Sequence, residues 1–293
     1  MVSGAGSAIK IVTGLVVASV VAAAVFFMLA SNNNNNNNSG PNNRVSFTPL
    51  TYDELVSSLD ADHNENINSL MIDLSEIDDS INDKTITIPN TFEIVNFISS
   101  KEKVLYVNLI LNSKRVILEN VNIDSTGRYA AAITLNEDAI IELRGENVVK
   151  GSSGMSSFGY GFPGGMGHPA IKGKIITITG SGNLTAVSGA GGSGGNGSMG
   201  YSNYFGGAGG NGGNGGSGGS AGFVIVCSEL RSDRYTGMLE LKMNRGGMGG
   251  FGGLGGYGTP SDLSGFSGLP GGTPDHVQGL VSFDVTKIRY TSI

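Results

Sequence analysis

Tryptophan is absent from this 293-residue chain, cysteine occurs once and histidine three times. A lone Cys227 excludes an intramolecular disulfide framework and any multi-cysteine metal site. Inside the apolar run Phe223-Val224-Ile225-Val226-Cys227 it reads as a buried, inert thiol. His63, His168 and His276 fall in separate loops without metal-ligand spacing. No nucleophile elbow or zinc motif occurs, and the glycine-rich tracts lack the Lys-Ser/Thr of a phosphate loop. The reading is therefore a non-enzyme with no catalytic residue and no cofactor. Basic charge is scarce as well: 18 Lys+Arg against 24 Asp+Glu leave a net charge of −6. The cations are scattered, with no basic stripe for a phosphate backbone, so nucleic acid is not expected as a partner.

Only one long uncharged apolar run exists, residues 11–30, IVTGLVVASVVAAAVFFMLA. At about 1.5 Å per residue it reaches about 30 Å, the thickness of a bilayer's hydrocarbon core. A cleaved signal peptide has a shorter apolar region and a small-x-small cleavage site, which Met28 and Ala30 serve poorly, so a retained transmembrane helix is favoured. Lys10 and the α-amino group are the nearby positive charges. They put a stub of residues 1–10 in the cytoplasm and the bulk of the chain outside, on a cell or virion surface. Gly14, Ala18 and Ala22 line one face of the helix, a small-residue stripe that fits close approach of a second helix.

Residues 31–44, SNNNNNNNSGPNNR, have nothing to bury and read as a solvated tether. The domain expected over 45–293 opens with a capping box: Thr51 as N-cap and Glu54 at N3, with Leu55, Val56 and Leu59 as one apolar face. Asp60, Asp62, Asn64 and Asn66 then alternate like a calcium loop. The sixth position holds Glu65 in place of Gly and the twelfth holds Met71 in place of Glu, so the set is a weak calcium candidate beside a polar turn.

From Ser69 the period changes to two. Short β-branched runs follow: 70–74, 85–88, 92–95, 104–109, 116–123, 132–135, 139–143 and 175–178, parted by Asn-Asp, Pro-Asn, Asn-Ser and Asn-Glu turns. No helical stretch intervenes, which excludes a βαβ fold and leaves a sandwich or a solenoid. A coarse recurrence of 20–25 residues favours coils stacked along an axis, with the Thr51–Leu59 helix capping the first.

The order of that helix, Ile-Asp-Leu, Thr-Ile-Thr-Ile, Val-Ile-Leu-Glu-Asn-Val-Asn-Ile and Ala-Ile-Thr-Leu-Asn-Glu-Asp-Ala-Ile-Ile-Glu-Leu resembles the coils of the pectate-lyase-like right-handed parallel β-helix superfamily. Residues 170–185, AIKGKIITITGSGNLT, resemble a subset of it, secreted carbohydrate-binding proteins with glycine-rich insertions. The resemblance covers about residues 50–290. It implies a right-handed parallel β-helix and sugar binding. Lyase chemistry there needs a cluster of Asp calcium ligands with a basic residue over the sugar; Asp124 and Arg128 are better explained as a solvated turn.

Glycine is the abundant residue: of 49, all but six lie between Gly151 and Gly279. Three insertions, 151–169, 188–222 and 245–278, each follow a strand-like run, and stacked coils would release them on one side. Gly206 to Ser220 reads GGA-GGN-GGN-GGS-GGS, and Gly246 to Tyr257 reads GGM-GGF-GGL-GGY. A polyproline-II-like helix has three residues per turn, so every third side chain shares one edge while glycine lets neighbouring backbones approach. Flexible tracts are the alternative for this composition. Ala208, Asn211, Asn214, Ser217 and Ser220 form an edge suited to solvent. Met248, Phe251, Leu254 and Tyr257 form a stripe expected to pack on the β-core or on a neighbouring chain.

Aromatic residues concentrate in the insertions: Phe158, Tyr160, Phe162, Tyr201, Tyr204, Phe205, Phe251, Tyr257 and Phe266. Rings on small-residue loops suit a sugar face or a protein partner, which singles out Tyr160, Phe162, Tyr201, Tyr204 and Phe205 as ligand-binding candidates. Two functions follow from different classes. One is a membrane-anchored adhesion or carbohydrate-binding protein. The other is a structural component of an ordered envelope or membrane-containing virion, self-associating or packing on neighbouring subunits.

Overall fold

A computed structural model describes residues 43–60, 67–201, 211–254, 268–283 and 285–293. The stub, the apolar run with Gly14, Ala18 and Ala22, nearly all of the tether, and Asp62 and Asn64 lie outside these residues. Among the described residues no helix is long and apolar enough to cross a membrane, and no group of three or more His, Cys, Asp or Glu could hold a metal ion. Asp60 is exposed at the last position of its helix.

The chain is mainly β. In order it forms β1 (Asn43–Phe47), α1 (Tyr52–Asp60), β2 (Ile67–Asp73), β3 (Lys84–Ile88), β4 (Ile94–Ile98), β5 (Val104–Leu105), β6 (Val107–Leu111), β7 (Arg115–Glu119), β8 (Asn122–Asp124) and β9 (Ile133–Leu135). Then come β10 (Ala139–Arg144), β11 (Glu146–Lys150), β12 (Ile171–Lys172), β13 (Ile175–Gly180), β14 (Asn183–Val187), β15 (Ile225–Ser232), β16 (Leu239–Met243), β17 (Val277–Ser282) and β18 (Ile288–Ser292).

These strands make a curled 12-stranded sheet and a six-stranded sheet, and the pairings are parallel throughout. The large sheet is two ladders, β3-β6-β9-β12 and β1-β2-β4-β7-β10-β13, joined where β15 pairs with β12 through its first residues and with β13 through its last. The third ladder is β5-β8-β11-β14-β16-β18. Each coil adds one rung to each ladder.

Alternating side chains point inward and stack coil on coil. Ile86, Leu109, Ile133, Ile171 and Ile225 are register partners in the first ladder, and Leu105, Ile123, Val149, Ala186 and Leu241 in the third. None exceeds 2% exposure, so each larger side chain contributes about 1.5–3 kcal/mol by burial.

Three sequence expectations need correction at the corners. The run 116–123 is not one strand: Asn120 takes φ 56° and divides β7 from β8. Its stacked neighbour Gly145 takes φ 62° at the next corner, where a Cβ would strike the Asn120 carboxamide. The 92–95 strand starts at Ile94, because Phe92 turns inward to full burial, and 104–109 breaks at the exposed Tyr106. Strand β1 begins at Asn43, inside the expected tether. Buried Asn147 fixes the same corner across three coils: its Oδ1 accepts from Val121 N, and its Nδ2 donates to the Arg144 and Asn183 carbonyls.

Helix α1 stands where the leading coil would place its first-ladder strand. Glu54 N donates to Thr51 Oγ1 at 3.2 Å and Leu50 N to Glu54 Oε2 at 2.8 Å, the reciprocal N-terminal cap expected from the sequence. Tyr52 Oη donates to the Thr85 carbonyl of β3. Leu55 and Leu59 join the core with Leu70 and Ile72. Replacing Leu55 by Ala should therefore lower stability by about 2–5 kcal/mol and, by loosening the cover over a strand edge, promote aggregation. Urea unfolding with thioflavin-T fluorescence reads both; an unchanged midpoint would disprove the capping role.

Candidate binding surface on the glycine-rich arms

All three insertions leave after a third-ladder strand, β11, β14 or β16, and return before β12, β15 or β17. Because β11, β14 and β16 are stacked, the insertions emerge from one side, as the sequence suggested. Each supplies an outgoing arm and a return arm among the described residues. The outgoing arms are residues 151–159, 188–201 and 245–254; the return arms are 161–169, 211–222 and 268–274.

Outgoing arms continue the parallel register of the strands behind them. Gly151, Gly154 and Ser157 donate to the carbonyls of Val187, Ala190 and Ser193. Gly191, Gly194, Gly197 and Gly200 donate to those of Arg245, Met248, Phe251 and Leu254. Return arms are stacked alike, Gly164 and Gly167 donating to Ser217 and Ser220, and Gly218 and Ala221 to Leu269 and Gly272. A second set of bonds ties the two layers together: Gly192 and Gly195 donate to Gly165 and Phe162, Gly216 and Gly219 to Gly195 and Gly192, and Gly247 and Gly250 to Gly219 and Gly216. Each set repeats every third residue, so the six arms form a two-layer bundle joined mainly by backbone hydrogen bonds.

That arrangement explains the GGX pattern. In the second outgoing arm a Cβ at Gly192 or Gly195 would fall on the Met155 or Gly159 carbonyl of the arm before it. A Cβ at Gly191 or Gly194 would fall on the Gly219 or Gly216 carbonyl of the return layer. All four approaches are under 3.0 Å, so at these levels only the third column can carry a side chain; Ser198 and Tyr201 follow in the Gly192 column beyond the end of the first arm. The first outgoing arm has no arm before it and needs glycine only toward the return layer, at Gly151 and Gly154. Its freed column holds Met155 and Phe158, 53% and 96% exposed. This is why GSSGMSSFG is ordered without a strict triplet.

Side chains are consequently confined to the surfaces of the bundle. Asn211, Asn214 and Ser217 are exposed on the return layer and Ser220 is partly covered. Met248, Phe251 and Leu254 are 70%, 71% and 63% exposed on the outgoing layer, so the apolar stripe does not pack on the β-core. The core is already filled by inward strand residues, and the stripe's column points away from every neighbouring arm. At the far end Tyr160 (73% exposed) sits in the first hairpin's turn, where Gly161 takes φ 69° and donates to the Asn196 carbonyl. Phe162 is 66% and Tyr201 69% exposed, Tyr201 extending the second arm past Asn196. Tyr160 and Phe162 thus lie at the level of Asn196, about 30 Å from the strands, and Tyr201 about 15 Å farther out along the second arm at about 3.1 Å per residue. Ala208, Tyr204, Phe205, Tyr257 and Phe266 lie outside the described residues.

The remaining polar features are structural. Arg128 is no solvated turn residue: Nε donates to Asn108 Oδ1 at 3.0 Å, Nη2 to Thr85 Oγ1 at 2.9 Å, and Nη1 to the Asp83 carbonyl, stapling three coils. Asp124 pairs with Lys150 at 2.9 Å. Burial opposes its ionisation, yet hydrogen bonds from Thr126 and Lys150 hold its carboxyl below the usual range. An open groove of about 490 Å³ beside the first corner of the coils is lined by Asn90, Glu93, Lys114 and Lys174 among others. Lys114 pairs there with Glu93 and Lys174 with Asp138, and Glu137 adds a further carboxylate to the lining. Burial lowers the pKa of His168. Cys227 is buried; burial, then the Glu229 charge, push its thiol up to about 11.

No family model, curated protein or solved structure matches this sequence.

Two outcomes are expected. Gly195→Ala should destabilise the bundle by about 1–3 kcal/mol, whereas Ser217→Ala in an outward column should stay within about 0.5 kcal/mol; thermal melts of both compare the columns, and equal effects would overturn the packing argument. With a thiol pKa of about 11, Cys227 should resist iodoacetamide at pH 8 in the native protein and react after unfolding, read by mass spectrometry.

Proposed function

We propose that this chain is a membrane-anchored, surface-displayed, non-catalytic adhesion protein that binds carbohydrate through the far end of its glycine-rich arms. In this reading the stacked coils are a right-handed parallel β-helix, the hand that parallel strand connections take, and the six arms are a polyglycine-II-like bundle. The observation that carries it is the exposure of three rings toward the far end of the arms, Tyr160 and Phe162 at the first hairpin's turn and Tyr201 farther out on the second arm. Aromatic rings offer a flat apolar face and lose little entropy on contact, and arms hydrogen-bonded at every third residue hold them in place before a ligand arrives. A pre-ordered site of this kind binds without further loss of chain freedom.

A second reading, a structural subunit of an ordered envelope or virion, is favoured by the exposed row Met248, Phe251 and Leu254. Monomeric proteins rarely leave contiguous apolar surface open without a partner. Glycan-array binding of the full chain separates the two. The adhesion reading expects a defined glycan set, with affinity falling at least tenfold when Tyr160, Phe162 and Tyr201 are all changed to Ser. Absence of binding to every glycan, together with self-association, would sink it.

A further inference from the structure

We infer that the outgoing face of the arm bundle is a self-association surface, on which a second copy of this chain sits face to face about a two-fold axis. The face is formed by the third column of each outgoing arm: Ser153 and Ser156 from the first, Ala190, Ser193, Asn196 and Met199 from the second, and Arg245, Met248, Phe251 and Leu254 from the third. Gly197 and Gly200 of the second arm donate to the carbonyls of Phe251 and Leu254. Met199 therefore lies level with those residues, and Met199, Met248, Phe251 and Leu254, 63–73% exposed, make one patch. Apart from Arg245 at the root, the rest of the face carries small or short side chains, so little projects to hold a flat partner away. Asn196 Oδ1 accepts from Phe251 N at 3.0 Å, which pins the surface across two arms.

Three features select a second copy as the occupant. First, side chains recur every third residue, about 9.3 Å apart at about 3.1 Å per residue. Another bundle has the same repeat, so in an antiparallel arrangement the Met, Phe and Leu side chains of one copy fit between those of the other, as in a dry zipper, with sulfur-to-ring contacts from the methionines. Second, Arg245 is the one charged side chain on the face among the described residues. With the axis near Phe251 the two Arg245 side chains stand about 37 Å apart at the same rise, far beyond a screening length of about 8–10 Å. Third, the second return arm bears Asn211, Asn214, Ser217 and Ser220, which part the exposed Met166 and Leu269 of the arms beside it, so the continuous apolar row lies on the outgoing face, and two copies paired there about a two-fold axis close as a dimer. The patch amounts to a few hundred Å², less than the about 800 Å² per partner of a stable interface. The dimer is therefore weak and depends on concentration.

Sedimentation velocity of the full chain in a mild detergent tests the inference over a concentration series. Wild type is expected to shift reversibly from monomer to dimer. Phe251→Ser with Leu254→Ser should weaken association at least tenfold, and Ser193→Glu, which sets two like charges on the facing surfaces, should weaken it in a manner relieved by salt. Ser217→Ala on the return face should leave it unchanged. All these positions are outward columns, so far-UV circular dichroism and melting should match wild type. A wild type that stays monomeric throughout overturns the inference, and so does a dimer that Phe251→Ser with Leu254→Ser and Ser193→Glu leave intact.

Discussion

Parallel backbone hydrogen bonding in fixed register holds each coil of this chain to the next, and the same register runs unbroken from strands into arms. Ser125 N donates to the Lys150 carbonyl, Gly151 N to that of Val187 and Ser188 N to that of Lys242. The roots of the arms are thus stacked before the arms begin. Buried serines reinforce them: Ser152 Oγ joins the backbone of Ala130, and Ser188 Oγ accepts from Asn244 N. The strands supply the alignment without which glycine arms would have no reason to find one another.

Strands and arms then solve the burial problem in opposite ways. Between the ladders the interior is side chain, with Ile, Leu and Val stacked in columns. Within the bundle the interior is main chain, and ordering it opposes the large entropy of glycine. A net of about 0.5–1.5 kcal/mol per hydrogen bond, repeated along six arms, offsets that loss only if nearly every inward N–H finds its carbonyl. A methyl group at an inward position such as Gly195 or Gly218 would strike a neighbouring carbonyl, and only at the root, where Ala221 is buried, does an inward column hold one. Surface chemistry is therefore set independently of the fold, which suits a binding or assembly surface.

The two ends of the stack differ. The leading end is covered: α1 replaces a strand with Leu55 and Leu59 inward, and Met155 and Phe158 occupy the column through which another arm would approach. At the trailing end Val281 and Tyr290, which sit in core columns, are 37% and 46% exposed, because no coil stacks on them. His276 meets Tyr290 edge-on at 5.1 Å and its Nε2 lies 2.9 Å from the Thr291 carbonyl, joining the last two turns of the chain.

Much of this was legible along the sequence. Period-two runs such as Ile175–Gly180, the Thr51–Glu54 cap and the GGX triplets each carry a local signal, because alternation, capping and three-fold repetition are properties of neighbouring residues. The corner at Asn120 was hidden inside an apolar run, since a left-handed asparagine leaves no mark on hydrophobicity. The staple of Arg128 was hidden because its partners lie up to 45 residues away. The sequence by itself determined that strands would alternate inward and outward and that every third residue of a glycine tract would share an edge. Only the tertiary structure decided which edge faces outward and that the plain GSSGMSSFG arm belongs to the bundle, because those outcomes depend on which backbone lies beside each glycine.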